Sequence, residues 1–329
     1  MQNEIKLDLT AAAKLMQDTK AQIESVIIGK SEAVQLALAA FLAKGHILLD
    51  DVPGTGKTTL AKTIAITLGC DFKRIQFTPD LMPSDITGMN FYNPQNGEFE
   101  FRPGPVLTNV LLADEINRTT PRTQSALLET MEERQITVDS ITRKLPQPFL
   151  VLATQNPIDS EGTFPLPYAQ RDRFLLRIKL GYPDPAEEIK IISKHAFTDT
   201  LGSLKAILNS SQLLQIQELI SSVYLADELV QYILEIVAYT RNHEAVELPL
   251  SPRASIGMVR AAKALAFLQG RAYVLPDDIK VLVNPVFAHR LKLKKAEEYK
   301  GLSTDDFLQE LLAKIPIPLK GSFVTHEKL

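Results

Sequence analysis

Pro53-Gly-Thr-Gly-Lys-Thr58 places two glycines, a lysine and a threonine at a spacing suited to phosphate chemistry. Gly54 and Gly56 let backbone N–H groups curl around phosphate oxygens, Lys57 supplies a point charge, and the Thr58 hydroxyl can ligate Mg²⁺. Pro53, Thr55 and Thr59 complete the loop and the first turn of the helix that follows, whose N-terminal end adds positive potential. The pattern is G-x-x-x-x-G-K-[ST] with Asp51 in place of the first glycine. A carboxylate there is expected to oppose an incoming polyphosphate, and its Cβ to restrict the loop. Further along, Asp114-Glu115 closes the apolar run Val110-Leu-Leu-Ala113. A carboxylate at a strand's end can hold a Mg²⁺ shell, the role read for Asp114, and Glu115 can orient and polarise an attacking water. Asn156 ends a third such run, Leu150-Val-Leu-Ala-Thr-Gln-Asn156, where a neutral amide could hold the water or a terminal phosphate. Asn156-Pro157 is equally an ordinary turn at a strand end.

These groups need a scaffold, and the apolar pattern supplies one. His46-Ile-Leu-Leu-Asp50, Val110–Ala113 and Phe149–Ala153 are buried runs of strand length. Between the first and second, Leu60, Ala61, Ile64, Ala65 and Leu68 keep a helical rhythm that Gly69 can stop. Buried strands separated by helices predict a parallel sheet covered on both faces, with ligands at the carboxyl ends of its strands. Beyond Gly181-Tyr-Pro-Asp-Pro185 strand runs become scarce. Leu229, Val230, Ile233, Leu234, Ile236 and Val237 mark a core-facing helix. Ser251-Pro252 opens another that Gly270 closes, and Pro276-Asp-Asp opens a third. The expectation is an α/β P-loop core over residues 1–182, then a smaller all-α domain over 183–329. Two hairpins are expected, one turning at Asn93-Pro-Gln-Asn-Gly97 and one between Gln135 and Leu145.

The chain has 329 residues, 36 Lys and Arg against 39 Asp and Glu, and a net charge of −3. No bulk positive field is present to draw nucleic acid. A single cysteine, Cys70, excludes a disulfide framework and reads as a small buried hydrophobe. Five scattered histidines give no zinc spacing. The first residues carry acids without an apolar core segment, unlike a signal peptide, and no run approaches the ~18 residues of a membrane helix. A cytoplasmic protein without a membrane span is expected. The basic run Arg290, Lys292, Lys294 and Lys295 reads as a solvated helix end, with no aromatic platform beside it.

In combination these motifs resemble the MoxR family of AAA+ ATPases. The resemblance is carried by Gly29-Lys30, Arg74–Leu81, Pro83–Gly88, Asp114–Arg118, Leu127–Glu133, Ala153–Pro157, Gly162–Pro167 and Ser251–Ser255. It departs at Asp51, Tyr168 and Arg171. The resemblance implies an αβα core with a helical lid, and ATP or ADP with Mg²⁺ as ligands. It makes Asn156 the sensor-1 residue and Arg253 the sensor-2 arginine, reaching from the lid to the γ-phosphate. Arg173, in Arg171-Asp-Arg-Phe174, becomes the arginine finger offered to a neighbouring subunit's nucleotide, and Ile28 and Gly29 lie beside the adenine. It further implies a homo-oligomer, in hexameric rings, that remodels or matures a protein client, with partners bearing a von Willebrand factor A domain. By similarity, both hairpins would face a central pore or that client. The near-neutral charge favours a protein client over a nucleic-acid motor, and Glu115 favours turnover over a nucleotide-gated binding module.

Overall fold

Alternation along three short strands decides the layering. Ile47, Leu49, Val110, Leu112, Leu150 and Leu152 pack into one hydrophobic cluster, whereas Leu48, Leu111, Ala113, Val151 and Ala153 pack into another. Successive side chains of a strand point to opposite faces, so these strands form a sheet buried on both sides. The computed structural model describes residues 7–155, 163–195 and 200–317.

In chain order the elements are α1 (Leu9–Val26), α2 (Ser31–Leu42), β1 (Ile47–Asp50), α3 (Lys57–Thr67), β2 (Phe72–Gln76), α4 (Pro83–Thr87), β3 (Gly88–Asn93) and β4 (Glu98–Pro103). There follow β5 (Val110–Asp114), α5 (Pro121–Glu133), β6 (Gln135–Val138), β7 (Ile141–Lys144), β8 (Leu150–Gln155), α6 (Tyr168–Arg171) and β9 (Leu176–Ile178). The second half continues with α7 (Pro185–His195), α8 (Ser210–Leu219), α9 (Asp227–Asn242), α10 (Pro252–Leu268) and α11 (Pro276–Phe287). The central sheet has the order β2-β5-β8-β1-β9, and every pairing in it is parallel.

Both predicted hairpins form, as the antiparallel pairs β3–β4 and β6–β7. They touch through Asn90, whose amide donates to Asp139 at 2.7 Å. The second half is helical, except that Val246–Leu248 pairs with Lys292–Leu293 in a short antiparallel ribbon. Ser251 caps α10 by accepting from the Ala254 N–H, with Pro252 at the first helical position. One cluster joins α1, α2 and α3 to α8–α11, so the C-terminal helices share a core with the sheet's helical cover. The smaller cluster fills the opposite face of the sheet beneath Leu127, Leu128 and Met131 of α5. Among the described residues, no helix is long and apolar enough to cross a membrane.

A candidate nucleotide site and an arginine cluster at the opposite sheet edge

Because β1, β5 and β8 run parallel, their carboxyl ends meet at one edge. A cavity of about 290 Å³ opens there. It is lined by the loop (Pro53, Gly54, Gly56), the first turn of α3 (Lys57, Thr58, Thr59) and the strand-end residues Arg74, Gln76, Asp114, Glu115 and Thr154. Gly54 and Gly56 have φ of +84° and +89°, and a Cβ at either would meet nothing within 4 Å. The loop is therefore an open cradle of N–H groups in a conformation that L side chains rarely adopt. Lys57 Nζ donates to the carbonyls of Asp51 at 2.9 Å and Val52 at 2.7 Å, partners a phosphate can displace. Thr55 turns back to the Val52 carbonyl at 3.3 Å and does not line the cavity.

Glu115 stands at φ 56°, ψ 51°, a left-handed conformation that costs free energy in a non-glycine residue. Its N–H donates to Thr154 Oγ1 at 2.8 Å, and the same hydroxyl donates to Asp114 Oδ1 at 2.6 Å. Thr154 thus fixes the Asp114 carboxylate and the Glu115 main chain from the adjoining strand. Arg74 donates to Asp114 Oδ2 at 2.7 Å, while Gln76 and Arg118 donate to Glu115 Oε2 at 2.7 and 3.1 Å. Arg74, Gln76 and Thr154 escaped the sequence reading. Their signal was present: Arg74 and Gln76 alternate with buried Ile75 at a strand end, and Thr154 stands two residues before Asn156. Asn156 itself lies outside the described residues.

Asp51 does not behave as the sequence predicts. Its side chain is turned away from the cradle and is 7% exposed. Oδ2 accepts from the N–H groups of Leu180 and Gly181, each at 2.8 Å, and Oδ1 accepts from Val52 N–H at 2.9 Å. Its charge is spent on amides, and its φ is not in the left-handed region. Gly29 (φ +76°) lies apart from the cradle, in a cavity of about 400 Å³ that also takes in Lys30, Arg177, Leu180 and Asn284. Ile28 lines neither cavity. Lys30 bridges to the chain crossing by donating to the Tyr182 carbonyl at 2.9 Å.

Arg173 and Arg253 sit elsewhere. Both line a cavity of about 380 Å³ with Lys44, Gly45 and His46, the residues that lead into β1. They therefore occupy the amino edge of the sheet. The strand between, at ~3.3 Å per residue, separates the two edges by more than about 10 Å. Arg173 Nε donates to Glu132 Oε2 at 2.8 Å, and Arg253 Nη2 donates to Glu132 Oε1 at 2.5 Å. Burial pushes the Glu132 carboxyl up, but the two guanidinium groups outweigh it and hold it below the usual range. Arg171, two residues from Arg173, instead stacks its guanidinium 3.9 Å over the Tyr168 ring.

Arg290, read from the sequence as part of a solvated helix end, is 5% exposed. Burial brings its guanidinium down to about 10 against the pull of Asp172, so it stays charged at neutral pH. His46 is buried as well, accepting from Val151 N–H at Nδ1 (3.0 Å) and donating from Nε2 to the Met131 carbonyl (3.1 Å). Burial pushes its pKa down to about 3, so the ring is neutral. Cys70 is partly buried, and burial raises its thiol to about 12.

A parallel sheet with a glycine cradle, a lysine and paired carboxylates at its carboxyl edge defines a P-loop nucleotide-binding protein. Comparison with known proteins agrees. Residues 46–176 match the model of the ATPase family associated with various cellular activities, and residues 238–311 match an AAA lid domain. The chain is 46% identical to the uncharacterised protein YeaC of Bacillus subtilis over 302 residues, spanning 92% of this chain and 94% of YeaC. It is 41% identical to the Mycobacterium tuberculosis protein called Chaperone MoxR1, spanning 94% of this chain and 84% of that one. A crystal structure of a candidate ATPase from Cytophaga hutchinsonii superposes with a TM-score of 0.88 at 39% identity, covering 93% and 96% of the two chains. The chain belongs to the MoxR family of AAA+ ATPases.

Proposed function

We propose that this protein hydrolyses ATP at the carboxyl-edge cavity and only within an assembly of its own copies. The observation that carries the first half is the open cradle of Gly54 and Gly56 facing Lys57, Thr58, Asp114 and Glu115 across one cavity. The cradle N–H groups and Lys57 take the β- and γ-phosphates, with Pro53, Thr55 and Thr59 shaping the loop. Thr58 and Asp114 would hold Mg²⁺, which supplies charge neutralisation on the phosphates. Glu115 accepts a proton from water as the water oxygen bonds to the γ-phosphorus and the bond to the bridging oxygen breaks, giving ADP and phosphate. Asn156 is assigned to that water or the γ-phosphate, and Ile28 and Gly29 to the base. The core spans residues 1–182 and the lid 183–329.

The second half rests on the amino-edge position of Arg173 and Arg253. Neither reaches phosphates held by its own Lys57, so both are assigned to the nucleotide of a neighbouring copy, most simply in a hexameric ring. A guanidinium there neutralises charge that develops in the transition state. Protein clients are the proposed targets, with von Willebrand factor A domain proteins as partners in the cytoplasm. The exposed Phe91, Tyr92 and Phe99 of the β3–β4 hairpin, on a chain of net charge −3, support a protein target rather than nucleic acid.

The test is complementation between chains. Glu115→Gln should bind ATP but hydrolyse it about 10²–10⁴-fold more slowly, since only water activation is lost. Arg173→Ala should be slow alone. Mixing the two should restore turnover, because some interfaces then pair an intact Glu115 with an intact Arg173. Flat specific activity from monomer to oligomer, with no recovery on mixing, would remove the trans-acting role.

A further inference from the structure

The two arginines assigned to a neighbour's nucleotide come from distant parts of the chain, yet they meet on one carboxylate, Glu132. A long arginine side chain is useful only if it is held in place beforehand. What lies behind them is a buried connection between the two halves of the molecule. Asp172, the residue immediately before Arg173, has Oδ1 2.9 Å from Arg290 Nε. That N–H is not aimed at the oxygen, so the contact is an ion pair rather than a hydrogen bond. The other oxygen, Oδ2, accepts from Ser251 Oγ at 3.1 Å. Ser251 is the cap of α10, and Arg253 is the second residue of that helix. One carboxylate therefore fixes the backbone beside Arg173 and the start of the helix that carries Arg253.

Arg290 reinforces the arrangement from beneath. Its Nη2 donates to the Phe174 carbonyl at 2.7 Å and to the Asp172 carbonyl at 3.4 Å, the main-chain groups on either side of Arg173. His289 contacts the same Phe174 carbonyl at 2.9 Å. Nη1 ties back to the Val286 carbonyl of α11 at 2.7 Å. Gly257, one turn into α10 from Arg253, leaves room for Leu175 and the guanidinium: a Cβ there would stand 3.2 Å from Leu175 Cδ1 and 3.3 Å from Nη1.

We infer that Asp172 and Arg290 are positioning residues that lock Arg173 and Arg253 into one unit, so that the core and the lid present their arginines to a neighbouring copy together. The inference rests on the trans-acting reading above. A buried ion pair that served stability alone would not care which face of the subunit it supports. This one predicts a defect confined to the arginine-presenting face.

The experiment uses full-length chains and ATP turnover in mixed assemblies. Asp172→Asn keeps the shape and removes the charge. Alone, it should lower kcat about 10- to 100-fold, the scale of a small misplacement of a catalytic group, with the KM for ATP within about twofold of wild type. Mixed with Glu115→Gln it should recover turnover, because its own Lys57 and Glu115 are intact. Mixed with Arg173→Ala it should recover none, since both chains fail on the same face. Arg290→Met should behave alike. If Arg290→Met does not fold, Gly257→Ala crowds the same guanidinium together with Leu175 and should show the pattern at smaller amplitude. Wild-type turnover by Asp172→Asn overturns the inference. Rescue by Arg173→Ala, or no rescue by Glu115→Gln, does the same. If Glu115→Gln and Arg173→Ala fail to complement each other, the trans-acting reading falls first and takes this inference with it.

Discussion

The two edges of the central sheet hold their charges in different ways: basic and acidic side chains balance around the carboxyl-edge cavity, whereas basic ones dominate the amino-edge cavity. At the carboxyl edge Lys57 rests on loop carbonyls, and Asp114 is held by Arg74, whose side chain is 47% exposed. At the amino edge Glu132 clamps two arginines and Asp172 meets a third in the interior. The first edge holds its charges with partners that a ligand can replace. Ion pairs stand at both edges, but of the paired guanidinium groups Arg290 at the second edge is the buried one. A site that must exchange partners is built from weakly satisfied groups around an open cavity. A site that must present a fixed surface is built from closed pairs.

The largest expected effect breaks one edge and spares the other. Lys57→Ala should abolish turnover and weaken ATP by about 100-fold or more, the worth of ~3 kcal/mol of charge-assisted bonds. Such chains should still donate their arginines to a neighbour, which mixing with Arg173→Ala checks.

Acid should do the reverse. His46 at the arginine cavity and His289 beside Arg290 are both buried neutral, with burial the main cause of their lowered pKa. The unfolded chain takes up protons near 6.5 while the folded chain does not, so their contribution is complete above that value and is lost as pH falls below it, for His46 down to about 3. Each ring that must be charged therefore costs stability progressively as pH falls below about 6. Hydrogen exchange at pH 5 should open the segments around His46 and Phe174 before the loop at Gly54. The reverse order would show that protonation of the buried histidines does not weaken that edge.

Asp51→Gly should destabilise the fold by about 2 kcal/mol, from the loss of charge-assisted bonds to buried amides, and should weaken ATP rather than tighten it. Denaturant melts and calorimetry read the two effects. Tighter binding would restore the repulsion expected from the sequence. The smallest effect sharpens the choice between neighbouring arginines. Arg171→Ala removes a cation–π contact worth about 0.5–1 kcal/mol and should leave turnover within about threefold, whereas Arg173→Ala should not.

Legibility in the sequence follows the same division. The cradle, Lys57 and the Asp114-Glu115 pair were readable because glycine spacing and a polar pair ending an apolar run are local patterns. The strands and α10 were readable for the same reason, through period two, a serine cap and a proline at the first turn. Arg74 and Thr154 show only as polar residues at strand ends, since it is the order β2-β5-β8 that brings their strands beside Asp114. Arg290 was misread because its chain neighbours Lys292, Lys294 and Lys295 suggest solvent. Its real partner, Asp172, is 118 residues away, and no pattern along the chain links them. Asp51 was misread for a similar reason: its partners, Leu180 and Gly181, are backbone amides, which carry no residue signature.

Those two amides give Asp51 a mechanical meaning. Asp51, just before the phosphate loop, grips with one oxygen the stretch by which the chain leaves the sheet after β9. Any displacement of the loop would therefore be felt first at Leu180 and Gly181. Lys30 anchors the same crossing one residue further on, at the Tyr182 carbonyl. Two side chains, Asp51 from the loop and Lys30 from the start of α2, thereby tether one short crossing to the nucleotide side of the core.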